Sequence, residues 1–424
     1  MKDLLVSIEL NGTRIPVGRI CGIDSSDACF CYADEYIQNH GSQPISIGLP
    51  VQPQPFTPAQ TKAYFDGLLP EGYTRHTVAQ WMHVDENDYL SILHGLGREC
   101  LGALCISEED EILDASYEPV SDQQVRELAA EGASKSTELV TKAHLSLTGA
   151  SGKVGLYYDR ESNRWYLPWG TAPSTHIVKQ SHVRLNGIVT NEQLCLLTAA
   201  RCGIDIPKSF IVNTGNAGEH EVLFATERYD RVFTQTPMLI GDHPVPTRLH
   251  QEDFAQAMGI PASRKYETEP SGYLRKMFAI LLQRSADPIT DQLKLWDRIV
   301  FNCLIGNTDS HVKNFSLLYG TDLKTIRLSP AYDIVSTTIY EQSTRDMAFW
   351  IGDALSLDDI TEASFRTLAK EVGLGERMAM SRLNSMRNRF TSALHESAVE
   401  LAGAGYPKAA EIEQRILTTG SKLI

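Results

Sequence analysis

Apolar and polar residues alternate over 4–10 (LLVSIEL), and Asn11-Gly12 supplies the residues of a tight hairpin before a second alternating run at 14–20. The chain therefore begins as an antiparallel sheet. The ACFCY run around Cys29 and Cys31 alternates in the same way and reads as another strand. A proline-rich stretch follows (Pro44, Pro50, Pro53, Pro55, Pro58), then FDGLLPEG leads into a helical period over 73–82. Residues 1 to about 107 form a small mixed domain. The segment 108–138 is rich in Asp, Glu and Ser, with one short amphipathic piece at 125–130, and reads as a solvated connector.

Strand-like runs return between 145 and 233: LSL, KVGLYY, RWYLPW, THIVKQ, FIVNT and EVLFATERY, interrupted by one helical period at 191–201. From His250 onward the apolar spacing is mostly helical, over 253–258, 274–283, 291–305, 364–371, 376–393 and 407–417. The boundaries expected are 1–138 for a β-rich subdomain with its connector, 139–234 for a small lobe of sheet plus one helix, and 235–424 for an all-helical lobe.

Composition narrows the function. The chain has 424 residues, 42% hydrophobic and 22% charged, which is ordinary for a protein with a sizeable core. A formal charge of −14 argues against nucleic-acid binding by this chain alone, because neutralising phosphates needs a basic face. Eight cysteines without CxxC pairs or even spacing suggest buried thiols, and no apolar stretch reaches the roughly 18 residues of a membrane span. These features point to the cytoplasm.

The chemistry concentrates in GNTDSHVKNFS at 306–316, where an apolar helix ends at a glycine and a polar turn precedes a strand. Phosphoryl transfer needs a carboxylate to orient the attacking hydroxyl and oxygen ligands for Mg2+. Asp309 and Asn314 have the Asp-x-x-x-x-Asn spacing that protein kinases use for these tasks, and Asp333 follows in LSPAYDI. The other parts stand in kinase order. A Gly-rich turn at 145–154 comes first, Lys179 ends a strand, Glu192 opens the single helix as its ion-pair partner, and 221–230 has the form of a hinge strand.

These segments resemble the HipA family of bacterial toxin kinases, through GNTDSHVKNFS, LSPAYDI, FATERYDR, LHQEDFAQAMG, SRKYE, LLPEG and GRECLGAL. The resemblance implies an α+β fold: a two-lobed, protein-kinase-like architecture related to phosphoinositide kinases, with an extra N-terminal β-rich subdomain and a mostly helical C-lobe. It implies Asp309 as catalytic base, Asn314 and Asp333 as Mg2+ ligands, and Lys179 on the ATP phosphates. Glu227 and Tyr229 would sit at the adenine hinge, with Ser151, Gly152, Lys153 and His311 as further ATP contacts. Ser146 occupies the position of the family's autophosphorylated serine, with Ser151 a rival.

The resemblance also implies a toxin whose substrate is an aminoacyl-tRNA synthetase, the glutamyl enzyme first, with growth arrest or persistence as the result. The implied partner is a helix-turn-helix antitoxin of HipB type, through which DNA is met only indirectly. Two other readings stay open on the residues: a kinase of lipid or small-molecule alcohols, and an ATP-binding co-repressor acting with its antitoxin.

Overall fold

The computed structural model describes the chain apart from residues 1–2, 109–113, 132–134, 136–137, 140–151, 182–184, 216–217, 219 and 424. It divides into two compact units. One comprises Met1–Gln180, Ala225–Ser263 and Leu317–Thr325; the other comprises Ser181–Phe224, Arg264–Ser316 and Ile326–Ile424.

The first unit opens with the expected hairpin. Leu4–Leu10 pairs with Thr13–Cys21 in antiparallel register, and the turn takes positive φ at Asn11 (51°) and Gly12 (77°), as a two-residue hairpin demands. Cys29–Tyr32 and Leu104–Ser107 flank the pair and complete a four-stranded antiparallel sheet. Alternation buries Leu4, Val6 and Ile8 on its inner side, where Phe30 packs among Tyr32, Phe56 and Phe65 at ring separations of 4.9 to 6.0 Å. The proline-rich stretch hides a helix, Pro58–Phe65. Pro58 sits at its first turn, where no amide donor is needed, and Thr57 and Gln60 form a capping box.

A second sheet in this unit has the strand order Ala115–Val120, Arg164–Gly170, Lys153–Asp159, His176–Gln180. The acidic segment read as a connector therefore contains an edge strand and, after it, the helix Asp122–Glu131. Its pattern misleads because an edge strand that is mostly exposed carries polar residues and tolerates Pro119.

Five longer helices dominate the second unit after Ile188–Arg201: Tyr273–Arg284, Pro288–Ile305, Glu362–Glu371, Glu376–Gly403 and Lys408–Thr419. The 28-residue Glu376–Gly403 helix packs against Ile188–Arg201, Pro288–Ile305 and Lys408–Thr419, and edge-on aromatic pairs Trp296–Phe365 and Phe301–Phe390 fill the core. The C-terminal half is not all-helical. Asp346–Ile351 and Ala354–Ser356 form a hairpin turning at Gly352; the first strand, DMAFWI, is after its aspartate a continuous apolar run without alternation and the second has only three residues, so neither shows a strand period. Among the described residues no helix is long and apolar enough to cross a membrane, and all eight cysteines are free thiols.

Burial sets one titration in the first unit. Glu252 is fully enclosed, accepting the Ile47 backbone N–H at 2.9 Å and the hydroxyls of Ser46 and Tyr319. Desolvation pushes its carboxyl up to about 7, against the pull of those donors. The folded chain holds this proton to higher pH than the unfolded chain, so the stability it contributes is full below the ordinary carboxyl range. That stability is lost as pH rises through about 7. Glu252→Gln mimics the neutral form. Thermal melts of variant and wild type should diverge in the variant's favour as pH rises from about 5 to about 8, by at most about 3 kcal/mol. A gap that does not change with pH would contradict the assignment.

Candidate functional site

The catalytic segment begins where the Pro288–Ile305 helix ends. Gly306 takes φ +68° and donates back to Asn302 and Cys303, and a Cβ there would meet Thr338 Oγ1 at 2.1 Å, so only glycine fits. The turn beyond it is held from both sides. Thr337 and Thr338 donate their amides to Gly306 O at 3.0 and 3.2 Å, and Thr308 N donates to Thr337 Oγ1 at 2.8 Å. Asn307 Nδ2 donates to Asn302 Oδ1 at 3.0 Å while its own Oδ1 receives Asp309 N at 3.2 Å. Thr308, Ser310, His311 and Lys313 are buried, and Asp309 alone of residues 307–313 is exposed. The loop thus presents one carboxylate outward from a rigid base.

That carboxylate is oriented. The Tyr266 hydroxyl donates to Asp309 Oδ1, and the Tyr266 ring stands edge-on to His311 at 5.2 Å. Asn314 Nδ2 donates to Asp309 O at 2.9 Å, which turns the amide oxygen Oδ1 the other way.

The LSPAYDI segment lies along the same loop. Ser329 N donates to Ser316 O at 2.9 Å, and the Tyr332 hydroxyl donates to Lys313 O at 2.9 Å and lies 2.6 Å from Ser316 Oγ. Residues adjacent to Asn314 and to Asp333 are therefore tied together. Ser336 is clasped in turn by the buried Asn191 amide, which donates to its carbonyl at 2.9 Å and accepts its N–H at 3.2 Å. Asp333 takes φ +56°, a left-handed conformation uncommon outside glycine, and both it and Asn314 are half-buried. An amide oxygen and a carboxylate with no soft ligand suit Mg2+, which keeps waters and phosphate oxygens for its other positions.

In the other unit, Lys153 and Lys179 are direct cross-strand partners in the register of Lys153–Asp159 with His176–Gln180. Antiparallel partners project from the same face, so two ammonium-bearing chains stand side by side, an arrangement suited to a polyphosphate. Gly152 precedes the first of them and is buried. Glu227 ends the Val222–Glu227 strand and meets Arg160, and the Tyr229 hydroxyl donates to Gln251 Oε1.

Two family models cover most of the sequence: the HipA N-terminal domain matches residues 8–107 and the HipA-like C-terminal domain residues 145–394. The chain belongs to the HipA family. The Sinorhizobium fredii protein Y4mE is 33% identical over 396 residues, spanning 91% of this chain and 89% of its own length. The Shewanella oneidensis serine/threonine-protein kinase toxin HipA is 24% identical over 352 residues, 80% of this chain and 78% of the toxin. The solved Shewanella oneidensis complex of HipA, HipB and operator DNA aligns with a TM-score of 0.78 at 20% identity, covering 98% of this chain and 96% of the matched one. The fold is thus the α+β, two-lobed, kinase-like fold expected, and the chain is a HipA-like kinase.

Against that family frame, Asp309, His311, Asn314 and Asp333 fall together in the second unit, which also holds Glu192. Gly152, Lys153, Lys179, Glu227 and Tyr229 fall in the first. Ser146 and Ser151 lie outside the described residues. Glu192 does not open its helix, which starts at Ile188 from the left-handed Gly187; it lies in the second turn and is buried. Tyr266 escaped the sequence reading as a site residue, although SRKYE was among the motifs that carried the resemblance. Tyr266→Phe removes only the donor to Asp309. It should lower kcat for phosphoryl transfer by about tenfold while leaving the KM for ATP unchanged, in steady-state assays with a fixed acceptor. An unaltered kcat would show that the contact does not position the carboxylate.

Proposed function

We propose that the chain is an ATP- and Mg2+-dependent serine/threonine protein kinase acting as the toxin of a toxin-antitoxin pair. Asp309 accepts the proton of the attacking hydroxyl and aligns it with the γ-phosphate. Asn314 Oδ1 and the Asp333 carboxylate hold Mg2+, whose charge stabilises the transferring phosphoryl group. Lys179 and Lys153 bind the phosphates with Gly152, and Glu227 and Tyr229 hold the adenine. His311 is a further ATP contact, and Glu192 acts as the counter-charge for Lys179.

The observation that supports this most is the tie from Tyr332 to Lys313, which brings the neighbours of Asn314 and Asp333 together beside an oriented Asp309. A chain that kept the motifs for structural reasons would have no need of an exposed carboxylate held by a tyrosine hydroxyl.

In this reading the kinase also modifies Ser146, or Ser151, of its own Gly-rich segment, where an added phosphate supplies the charge that switches it off. Its protein substrate is an aminoacyl-tRNA synthetase, the glutamyl enzyme first, so that translation stops. The partner is a HipB-type antitoxin with a basic DNA-binding face, which the charge of −14 here complements. Support for that partner comes from the Shewanella oneidensis complex, which joins HipA to HipB and operator DNA.

Incubation with γ-labelled ATP and purified synthetases should label a synthetase and this chain itself, and phosphopeptide mapping should locate the acceptors. Asp309→Ala should reduce both labels by about a thousandfold with ATP binding retained. Labelling that survives Asp309→Ala, or tight ATP binding with no protein labelled in the wild type, would contradict the proposal.

A further inference from the structure

Residues 227–231 face two ways. Glu227 and Tyr229 are half-buried, whereas Arg228, Asp230 and Arg231 are sunk in an ion cluster of the first unit. Glu99, from the GRECLGAL segment, stands at its centre with no exposed side-chain surface. Its Oε1 accepts Arg228 Nη1 at 3.0 Å, Arg231 Nη2 at 2.9 Å and Ser174 N at 3.0 Å, and Arg248 Nε lies 3.5 Å from Oε2. Arg228 spreads its remaining donors over Ser174 Oγ at 2.9 Å, Cys100 O at 3.1 Å and the Asp230 carboxylate at 2.8 and 3.0 Å.

The main chain is gripped at the same point. Arg228 N donates to Thr175 O at 2.9 Å, and Gly102 N donates to Asp230 Oδ2 at 2.7 Å. Gln251, which receives the Tyr229 hydroxyl, donates to Asp230 Oδ2 at 3.4 Å. Arg228 and Asp230, which flank Tyr229, are therefore anchored directly to a loop of the N-terminal subdomain through Glu99, Cys100 and Gly102. Glu9, which meets Arg248, brings the first strand into the same cluster.

We propose that Glu99 is a positioning residue for the nucleotide: acting through Arg228, it fixes the backbone between Glu227 and Tyr229 at which adenine is read. The inference rests on the assignment of that segment as the adenine hinge and gives the N-terminal subdomain a part in nucleotide selection. Backbone readout of a base edge depends on placement to a fraction of an ångström, and a guanidinium held by acceptors of four residues supplies it. With Glu99 made neutral, three buried guanidinium groups share only the carboxylates of Asp230 and Glu9 among the described residues, and Arg228 loses the charged partner that ties its Nη1 to the N-terminal subdomain.

Equilibrium binding of ATP and of GTP to the full chain, measured by calorimetry, tests this. Glu99→Gln should weaken ATP by about tenfold and GTP by less than about twofold, collapsing the preference between them. Ser174→Ala, which removes one hydroxyl from the same cluster and is far less disruptive to folding, should move the ratio in the same direction by about threefold. Tyr229→Ala reports on the hinge itself. If Tyr229→Ala lowers the ATP-to-GTP ratio and the other two variants leave it unchanged, Glu99 is only structural and the inference falls while the hinge stands. If none of the three alters the ratio, the hinge assignment falls and the inference falls with it.

Discussion

The site depends on a glycine turn that leaves no room for a side chain. At Gly306 a helix with a nearly all-buried last turn hands the chain to a loop, and Thr338 fills the space a Cβ would need. Within the loop, Asn307 Oδ1 receives the Asp309 N–H, Asp309 O that of His311 and His311 O that of Asn314, while Thr337 Oγ1 receives that of Thr308, so much of its buried backbone is tied down. An exposed carboxylate can be mounted rigidly only on such a base. Tyr266, Asn314 and Tyr332 extend the same network outward, to the carboxylate on one side and to the Asp333 segment on the other.

The first unit solves a related problem with charge. Glu99 is held down to about 2 by Arg231, Arg228 and Arg248 despite the burial that opposes its ionisation, and Asp230 is likewise held below the usual carboxylate range. Removing one partner from such a cluster commonly costs about 3–5 kcal/mol, because a charge is stranded away from water. The cluster joins GRECLGAL, FATERYDR and the Arg248 strand through one set of buried ion pairs. Glu252 provides the contrast: among the described residues its hydrogen-bonding partners are the Ile47 N–H and the hydroxyls of Ser46 and Tyr319, none of them cationic, so burial prevails and its carboxyl is pushed up to about 7.

Much of this was legible from the residues alone. The Asn11-Gly12 hairpin, the Ile188–Arg201 helix and the Asp-x-x-x-x-Asn loop follow from turn chemistry, period and spacing, and these are local properties. What the sequence hid was set by tertiary contacts. The Ala115–Val120 strand is stabilised by its neighbour, not by its own pattern, and the Pro58–Phe65 helix is masked by the prolines before it. Tyr266 lies 43 residues from the carboxylate it holds, and Glu99 lies 129 from Arg228, so neither partnership has a spacing that a single sequence can reveal.

In the proposed site the Asn314 amide oxygen and the Asp333 carboxylate, whose chain neighbours the Tyr332 hydroxyl ties together, grip one divalent ion on the nucleotide. Electron paramagnetic resonance of Mn2+ added to the ATP-loaded chain measures that grip directly. Asn314→Ala and Asp333→Ala should each weaken ATP-dependent Mn2+ binding by at least about tenfold. Undiminished Mn2+ binding in both variants would contradict the account.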